Sequence, residues 1–380
     1  MKNNNTIQLT LENLEAIPLT YGAVILNKEK FIEILSEIVN INDISSIKNR
    51  VFILKDTITN HKKDQEGILN IDANGDTASL RRDVLISELS QILEAQTLER
   101  AKYYLERLKN GVEKIKTSKI NDINLSRWKE YDEIITDSLW ILDKRDNSGA
   151  HIGWYWGNFI PQIPHQMMMR YTKKGDWVLD TFVGSGTTLI ECRRLGRNGI
   201  GIDLNPDVAQ KARELIDKEK NKDNVVSEVI TGDSRVINIK EVLAKHGVNK
   251  VQLLIMHPPY YDIIKFSKDE KDLSNAKNAE EFIEMFGKVV DNATPFLEKG
   301  RYFALVIGDK YSKGEWIPLG FYCMNEVLKR GYLLKSIIVK NFEETRGKRN
   351  QKELWRYRAL VGGFYIFKHE YIFLFKKVQK

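Results

Sequence analysis

From residue 177 onward, short apolar strand patterns and longer helical patterns take turns along the chain. Strands are predicted near 177–180, 199–203, 226–230, 251–256, 302–307, 334–340 and 363–375, the last long enough to fold as a hairpin. Helices are predicted near 187–195, 206–219, 236–245, 279–297 and 319–330. Such alternation implies an α/β fold, a mainly parallel sheet with helices on both faces. Upstream the pattern differs. Leu98, Ala101, Leu105, Leu108, Val112 and Ile115 fall at spacings of three and four, so residues 79–116 read as one long helix with a single apolar stripe. That stripe suits a helix packed on its own protein better than a dimer seam, because a coiled coil needs more heptads. Phe31 to Val39 also reads as helical, and Asp72-Ala73-Asn74-Gly75-Asp76 as a turn. The rest of residues 1–75 is weakly patterned. We expect a mostly helical N-terminal domain over residues 1–137 and the α/β domain over 138–380, with Asp146-Asn147-Ser148-Gly149 as a connection and His165–Arg170 as a short helix before the first sheet strand.

Two segments carry chemistry. Strand Trp177-Val178-Leu179-Asp180 runs into Thr181-Phe182-Val183-Gly184-Ser185-Gly186-Thr187-Thr188, where a turn opens a helix. Glycines without Cβ atoms let the backbone approach a nucleotide-like ligand closely. Asp203 follows Gly184 by nineteen residues in Gly201-Ile202-Asp203-Leu204-Asn205-Pro206. A carboxylate at that spacing, at the end of the second strand, suits a ribose diol. A dinucleotide fits less well. Leu189 stands where a third fingerprint glycine would be, and a carboxylate at Asp180 would repel a pyrophosphate. The second segment, His257-Pro258-Pro259-Tyr260, ends the apolar strand Val251–Met256. Ligands of open α/β sheets bind at the C-terminal ends of strands, so both segments should face one cleft. Taken alone, His257–Tyr260 could be a Pro-Pro turn with a packing tyrosine.

Composition narrows this picture. With 42% hydrophobic and 29% charged residues the chain is ordinary for a globular protein. There is no apolar run of eighteen residues, and the polar start Met1-Lys2-Asn3-Asn4-Asn5 leads into no signal core. Two cysteines, Cys192 and Cys323, imply neither a disulfide framework nor a metal site. A cytoplasmic protein without a membrane segment or a metal is expected. Charge is uneven. Residues 340–380 hold eleven Lys or Arg against four Glu, a net of +7 that equals the charge of the whole chain.

The Gly turn, the Asp203 strand end and the x-Pro-Pro-Tyr loop, in this order, make residues 138–380 resemble the S-adenosylmethionine-dependent amino-methyltransferases of DNA, which modify N4 of cytosine or N6 of adenine. The resemblance implies a class I, Rossmann-like methyltransferase domain with S-adenosyl-L-methionine as cofactor. It implies a cofactor pocket formed by Asn158, Phe159, Asp180, Phe182, Gly184, Ser185, Gly186, Thr187, Asp203, Leu204 and Asp233. Asp233 would accept from the adenine amine, unless it or Ser234 merely caps the next helix. His257, Pro258, Pro259 and Tyr260 would form the catalytic loop. There the first side chain and the first proline carbonyl accept the N–H groups of a flipped base, and the aromatic ring stacks on it. The family usually has Ser, Asp or Asn where this chain has His257. Neutral imidazole can accept one hydrogen bond; imidazolium cannot. Overall resemblance places cytosine-N4 slightly ahead of adenine-N6. No cysteine follows a proline, which argues against cytosine-C5 chemistry.

Double-stranded DNA is the partner this resemblance implies, and a cognate restriction endonuclease acting on the same site is compatible with it. Monomer and homodimer both stay open. Target recognition is expected from the N-terminal domain, from residues 341–360, or from both. Lys265, Arg346, Lys348, Arg349, Lys352, Arg356 and Arg358 are the candidate nucleic-acid contacts. Cations release counterions from phosphates, and the interleaved Trp355 and Tyr357 could stack on bases. A solvated basic tail is the alternative there, and an ordinary surface loop for residues 262–275, which could otherwise close over the base. Two other functions fit the same motifs: an RNA base amino-methyltransferase, and a noncatalytic DNA-binding subunit that retains the fold.

Overall fold

In the computed structural model, which describes residues 22–60, 64, 67–71, 75–342 and 352–378, the stretch 79–116 is not one helix. Contacts divide the chain into two units, one running to Ser118 and including Ile123–Glu133, the other formed by Lys119–Asp122 and Ile134–Lys380. The first unit opens with Ala23–Asn27 (β1), Lys28–Val39 (α1) and Ile44–Asn60 (α2). Thr77–Arg81 (β2) then pairs antiparallel with β1. Ala78 and Leu80 point inward there and their neighbours do not, a period of two that wins over helix formation. Arg82–Leu93 (α3) follows, and the chain breaks before Leu98–Glu113 (α4). Thr97 makes the break. It is extended (φ −125°, ψ 154°), and its hydroxyl accepts the Arg100 N–H at 3.2 Å. The apolar stripe lies mostly on α4, where Ala101, Leu105, Leu108 and Val112 are buried against Phe31, Leu35, Ile47 and Leu89 of the same unit. Ile115 lies past the helix end and is exposed. Residues 72–74 of the expected turn lie outside the described residues.

The second unit is an α/β sheet of eight strands. Its elements are Leu139–Trp140 (β3), Gln162–Tyr171 (α5), Trp177–Asp180 (β4), Thr187–Leu195 (α6), Asn198–Asp203 (β5), Pro206–Lys218 (α7), Ser227–Thr231 (β6), Ile239–Ala244 (α8), Val251–Met256 (β7), Ala279–Ala293 (α9), Leu297–Ile307 (β8), Lys310–Ser312 (β9), Glu315–Ile317 (β10), Leu319–Lys329 (α10), Leu333–Asn341 (β11), Lys352–Gly362 (α11) and His369–Lys376 (β12). The sheet order is β3-β11-β12-β8-β7-β4-β5-β6. Strands β4 to β8 are mutually parallel; β12 runs antiparallel to β8 and β11. This is the class I methyltransferase arrangement, with apolar cores on the two faces.

Some boundaries depart from the pattern. The helix expected over 236–245 starts only at Ile239, where Asn238 caps it through Glu241 N–H, so neither Asp233 nor Ser234 is the cap. The helix expected over 279–297 stops at Ala293, one residue before a 3₁₀ turn through Pro295, and β8 begins at Leu297. The predicted hairpin over 363–375 is a single strand, β12. The hairpin beside the sheet is instead β9–β10, closed by Lys313 and Gly314, both at positive φ. No helix among the described residues is long and apolar enough to cross a membrane.

The Thr97 cap gives a direct test of the break. Thr97→Ala should destabilise the first unit by about 1 kcal/mol, and Thr97→Ser should keep most of that. Urea unfolding followed by circular dichroism checks it; equal midpoints for Ala and wild type would show that the helices part for another reason.

Candidate active site

Strand β4 lies between β5 and β7, and the chain leaves β4 toward one side of the sheet and β7 toward the other. The gap so created at the strand ends is a cleft of about 1190 Å³. Gly184 (φ 49°) and Gly186 (φ 82°) hold left-handed backbone that side chains disfavour. A Cβ on Gly184 would also come within 3.3 Å of the Tyr155 ring. Asp203 braces the turn: one carboxylate oxygen accepts Gly184 N–H at 3.0 Å and the other Asn205 N–H at 2.9 Å. Burial pushes its carboxyl up to about 6. Asp180 is different. It is 1% exposed and does not line the cleft; it accepts from Phe182 N–H and from the Thr188 hydroxyl. Burial raises it to about 6 as well. Its place is beneath the turn, holding the loop's shape, and Gly186 likewise stands behind the lining.

Phe182, Gly184, Ser185, Thr187, Asp203, Leu204 and Asp233 do line the cleft, as do Asn158 and Phe159. Asn158 fits its neighbours with its amide oxygen accepting from Ser185 Oγ (3.2 Å) and Arg145 (3.0 Å), and its nitrogen donating to Tyr155 O (3.1 Å). The aromatic segment that carries these residues is strapped down from behind. Arg194 on α6 donates to Ser148 O at 2.6 Å and pairs with Asp146 and Glu219, while buried His151 and Glu191 meet at 2.6 Å. Asp146, His151 and Glu191 converge as metal ligands would, but the Arg194 guanidinium already brings a positive charge to both acids. Asp233 holds the Arg235 guanidinium through both carboxylate oxygens, at 3.0 and 2.8 Å.

The His257–Tyr260 loop faces the same cleft from β7. His257 and Phe159 pack in a T-shaped contact, with centroids 4.8 Å apart. Its Nε2 lies 3.2 Å from the Tyr260 hydroxyl, which donates to Glu370 Oε2 at 2.8 Å. Glu370 on β12 is paired with Lys340 on β11 at 2.7 Å, and both are buried. Burial holds His257 down to about 4, whereas the Lys340 ammonium holds the Glu370 carboxyl below its usual range against the effect of burial. Neither Lys340 nor Glu370 was expected from motifs. The available signal was a lone charge of each sign within apolar strands, Ile337–Asn341 and Glu370–Phe375. Tyr155 was also missed. It lies under the Gly turn and stacks on Phe266, centroids 5.4 Å apart.

The segment after the loop folds on itself. Asp272 accepts from Ser267 and Ser274, while Ile264 and Phe266 turn toward the cleft. Lys265 is exposed and away from the lining. Arg356 and Arg358 are exposed on α11, Arg358 stacked over Trp355. Lys352 begins α11, and Arg346, Lys348 and Arg349 lie outside the described residues.

The donor set beside Gly184 fits a nucleoside-linked methyl donor: a carboxylate with spare lone pairs for hydroxyls, apolar walls at Phe182 and Leu204, and small side chains at Ser185 and Thr187. Comparison with known proteins agrees in kind. Over 145 residues the chain is 29% identical to the type II methyltransferase M.MjaII of Methanocaldococcus jannaschii, covering 35% of this chain and 26% of that protein. It is 46% identical over 56 residues to the type II methyltransferase M.HpaI of Haemophilus parainfluenzae, 15% of this chain and 18% of that one. Against M2.DpnII of Streptococcus pneumoniae it is 44% identical over 67 residues, 17% and 25% of the two chains. The matches thus span about a quarter or less of these relatives. A solved structure, TrmN from Thermus thermophilus, superposes with TM-score 0.37 at 16% identity over 58% of this chain and 49% of its own. The family model described as DNA methylase, of the N6/N4 type, matches residues 23–214 and 251–380 and leaves out the stretch with Asp233. Matched over most of its length, the chain belongs to that DNA methylase family.

Proposed function

We propose that this protein moves the methyl group of S-adenosyl-L-methionine to the exocyclic amine of a base flipped out of double-stranded DNA, cytosine-N4 ahead of adenine-N6. One observation carries the reading: the Gly184–Asp203 turn and the His257–Tyr260 loop open into one cleft. Asp203 would accept both ribose hydroxyls, Phe182 and Leu204 would flank the adenine, and Ser185, Thr187 and Asn158 would meet the amino-acid end. Asp233 offers a remaining lone pair to the adenine amine. The bound cofactor supplies an electrophilic methyl group on a sulfonium.

The acceptors for the target amine are His257 and the Pro258 carbonyl. An exocyclic amine is a poor nucleophile because its lone pair is delocalised into the ring, and accepting its N–H groups frees that pair for attack. The nitrogen–methyl bond forms as the carbon–sulfur bond breaks, and the amine then sheds one proton. A histidine held near 4 is too weak a base to keep that proton, so it passes to water. Pro259 and the anchored Tyr260 ring form the platform for the base. Lys265, Arg346, Lys348, Arg349, Lys352, Arg356 and Arg358 are the proposed phosphate contacts. A restriction endonuclease of the same site remains the kind of partner that would make such a modification useful.

Labelled cofactor should deliver its methyl group to duplex DNA, and sequencing that reports modified bases should give base and site together. Label entering RNA alone would replace this reading with an RNA base methyltransferase. DNA binding with no saturable cofactor binding would replace it with a noncatalytic subunit.

Cofactor affinity should depend on pH through Asp203. Its folded value, about 6, lies above the ordinary carboxylate value, so the group is protonated at pH 5 and ionised at pH 8. Calorimetry should show S-adenosylmethionine binding weaken as pH falls through about 6, the break disappearing in Asp203→Asn. That variant should lose about 1.5–3 kcal/mol at pH 8, the range for hydrogen bonds to a charged group. A pH-independent affinity in wild type would remove Asp203 from the ribose.

Turnover should show no histidine limb near 6.5. His257 has a folded value of about 4, so it stays neutral from pH 8 to about 5, and at saturating cofactor turnover is lost only through about 4. The same depression has a stability sign: below about 6.5 the unfolded chain takes up a proton the folded one refuses, so stability falls from there toward pH 4. His257→Ala should cut turnover and leave cofactor affinity intact. Single-turnover rates on DNA across this range check it; a limb at 6.5 that survives in His257→Ala belongs to another group.

A further inference from the structure

We propose that Lys340, Glu370 and the Tyr260 hydroxyl form a relay that sets the tautomer of His257, putting the proton on Nε2 and leaving the Nδ1 lone pair for the target amine. The proposal rests on the methyl-transfer reading for its purpose, though not for its geometry. Lys340 and Glu370 are directly paired across β11 and β12, 5% and 8% exposed. The ammonium has only protons to give, so Glu370 beside it is a carboxylate that accepts on both oxygens. Oε1 takes Lys340 Nζ at 2.7 Å and Oε2 takes the Tyr260 hydroxyl at 2.8 Å. The single hydroxyl proton of Tyr260 is thereby committed to Glu370. What the phenol oxygen shows to His257 Nε2, 3.2 Å away, is a lone pair. Only an Nε2–H can answer a lone pair, and in a neutral ring the other nitrogen is then an acceptor.

That other nitrogen is where the acceptor is needed. His257 lines the cleft, and its Nδ1 has no hydrogen-bond partner among the described residues, nor is it one of the buried atoms left unsatisfied. The ring is steadied by its T-shaped contact with Phe159. A serine, aspartate or asparagine at this place offers an oxygen that accepts in any case. An imidazole presents a donor or an acceptor at the same nitrogen depending on its partner, so it must be instructed. Lys340, Glu370 and Tyr260 are positioning residues in this sense: they act through His257 and need not touch the amine.

The test inverts the relay. In Lys340→Met/Glu370→Leu the ion pair is replaced by apolar groups, a change that buried pairs often tolerate without loss of stability. The Tyr260 hydroxyl then has His257 Nε2 as its acceptor, and the imidazole proton should move to Nδ1. Nitrogen NMR of the full chain with labelled histidine reads the tautomer directly, with His257→Asn identifying the signals. Wild type should carry the proton on Nε2 and the double variant on Nδ1, with turnover reduced by about tenfold or more and cofactor affinity unchanged. Adding Tyr260→Phe to the double variant removes the inverting hydroxyl and should return the proton to Nε2. A wild-type proton on Nδ1, or a double variant that keeps it on Nε2, overturns the relay. The tautomers as expected in a protein that methylates no DNA support the relay and overturn the DNA reading instead.

Discussion

The parallel pairing of β4 with β5 on one side and β7 on the other is the constraint from which the site follows. Each strand must hand its chain to a helix on one face of the sheet. Where two neighbours hand over to opposite faces, their ends cannot close on each other. The turn after β4 must also be tight, and Gly184 and Gly186 supply the left-handed backbone it requires. That turn would be loose by itself. Asp203 and Asp180 hold it from above and below, one through Gly184 N–H and the other through Phe182 N–H. The two carboxylates have the same folded value, about 6, yet different work: Asp180 is spent on the loop, and Asp203 keeps lone pairs facing the cleft.

The electrostatics of the two halves of the cleft are opposed. On the Gly-turn side the desolvated Asp203 carboxylate lies at the wall, an environment that favours a cationic ligand over a phosphate. On the loop side the buried charges are paired with each other, Lys340 with Glu370, so the cavity sees little net charge there. A buried pair is weak evidence of stability, since desolvation offsets the attraction. Its retention beside a histidine is better explained by direction: a carboxylate locked by an ammonium accepts, and cannot donate.

How far all this could be read from the sequence depends on whether a feature is local. The Gly turn, the Asp203 spacing and the Pro-Pro loop are contiguous, each bound to the end of one apolar strand, and the structure puts them at one cleft. Strands β4, β5 and β7 were legible because buried parallel strands are short continuous apolar runs. Thr77–Arg81 was not, because a five-residue strand that abuts a helix leaves only two inward positions, Ala78 and Leu80, to show its period. Thr97 was hidden for a similar reason: the apolar stripe begins at Leu98 and draws attention past the cap. Asp180 reads as a pocket residue by position, but the Thr188 hydroxyl, eight residues on in the first turn of α6, captures it. The Lys340–Glu370 pair needs the register of two antiparallel strands thirty residues apart, which no local spacing encodes.

The histidine at the head of the Pro-Pro loop ties these levels together. An oxygen acceptor there would ask nothing of the rest of the fold. Imidazole asks for a partner that is itself fixed, and a tyrosine hydroxyl is fixed only if its proton has somewhere better to go. That demand is met three residues along the same loop by Tyr260, and then across the sheet by the strand that runs against the others. Because β12 is antiparallel to β8, its N-terminal end arrives where β8 and β7 finish, and Glu370 near that end meets Lys340 at the C-terminal end of β11 beside the cleft. An unusual residue in a local motif is thus matched by an ion pair placed by topology, so a substitution at position 257 should be judged together with Tyr260, Lys340 and Glu370 rather than alone.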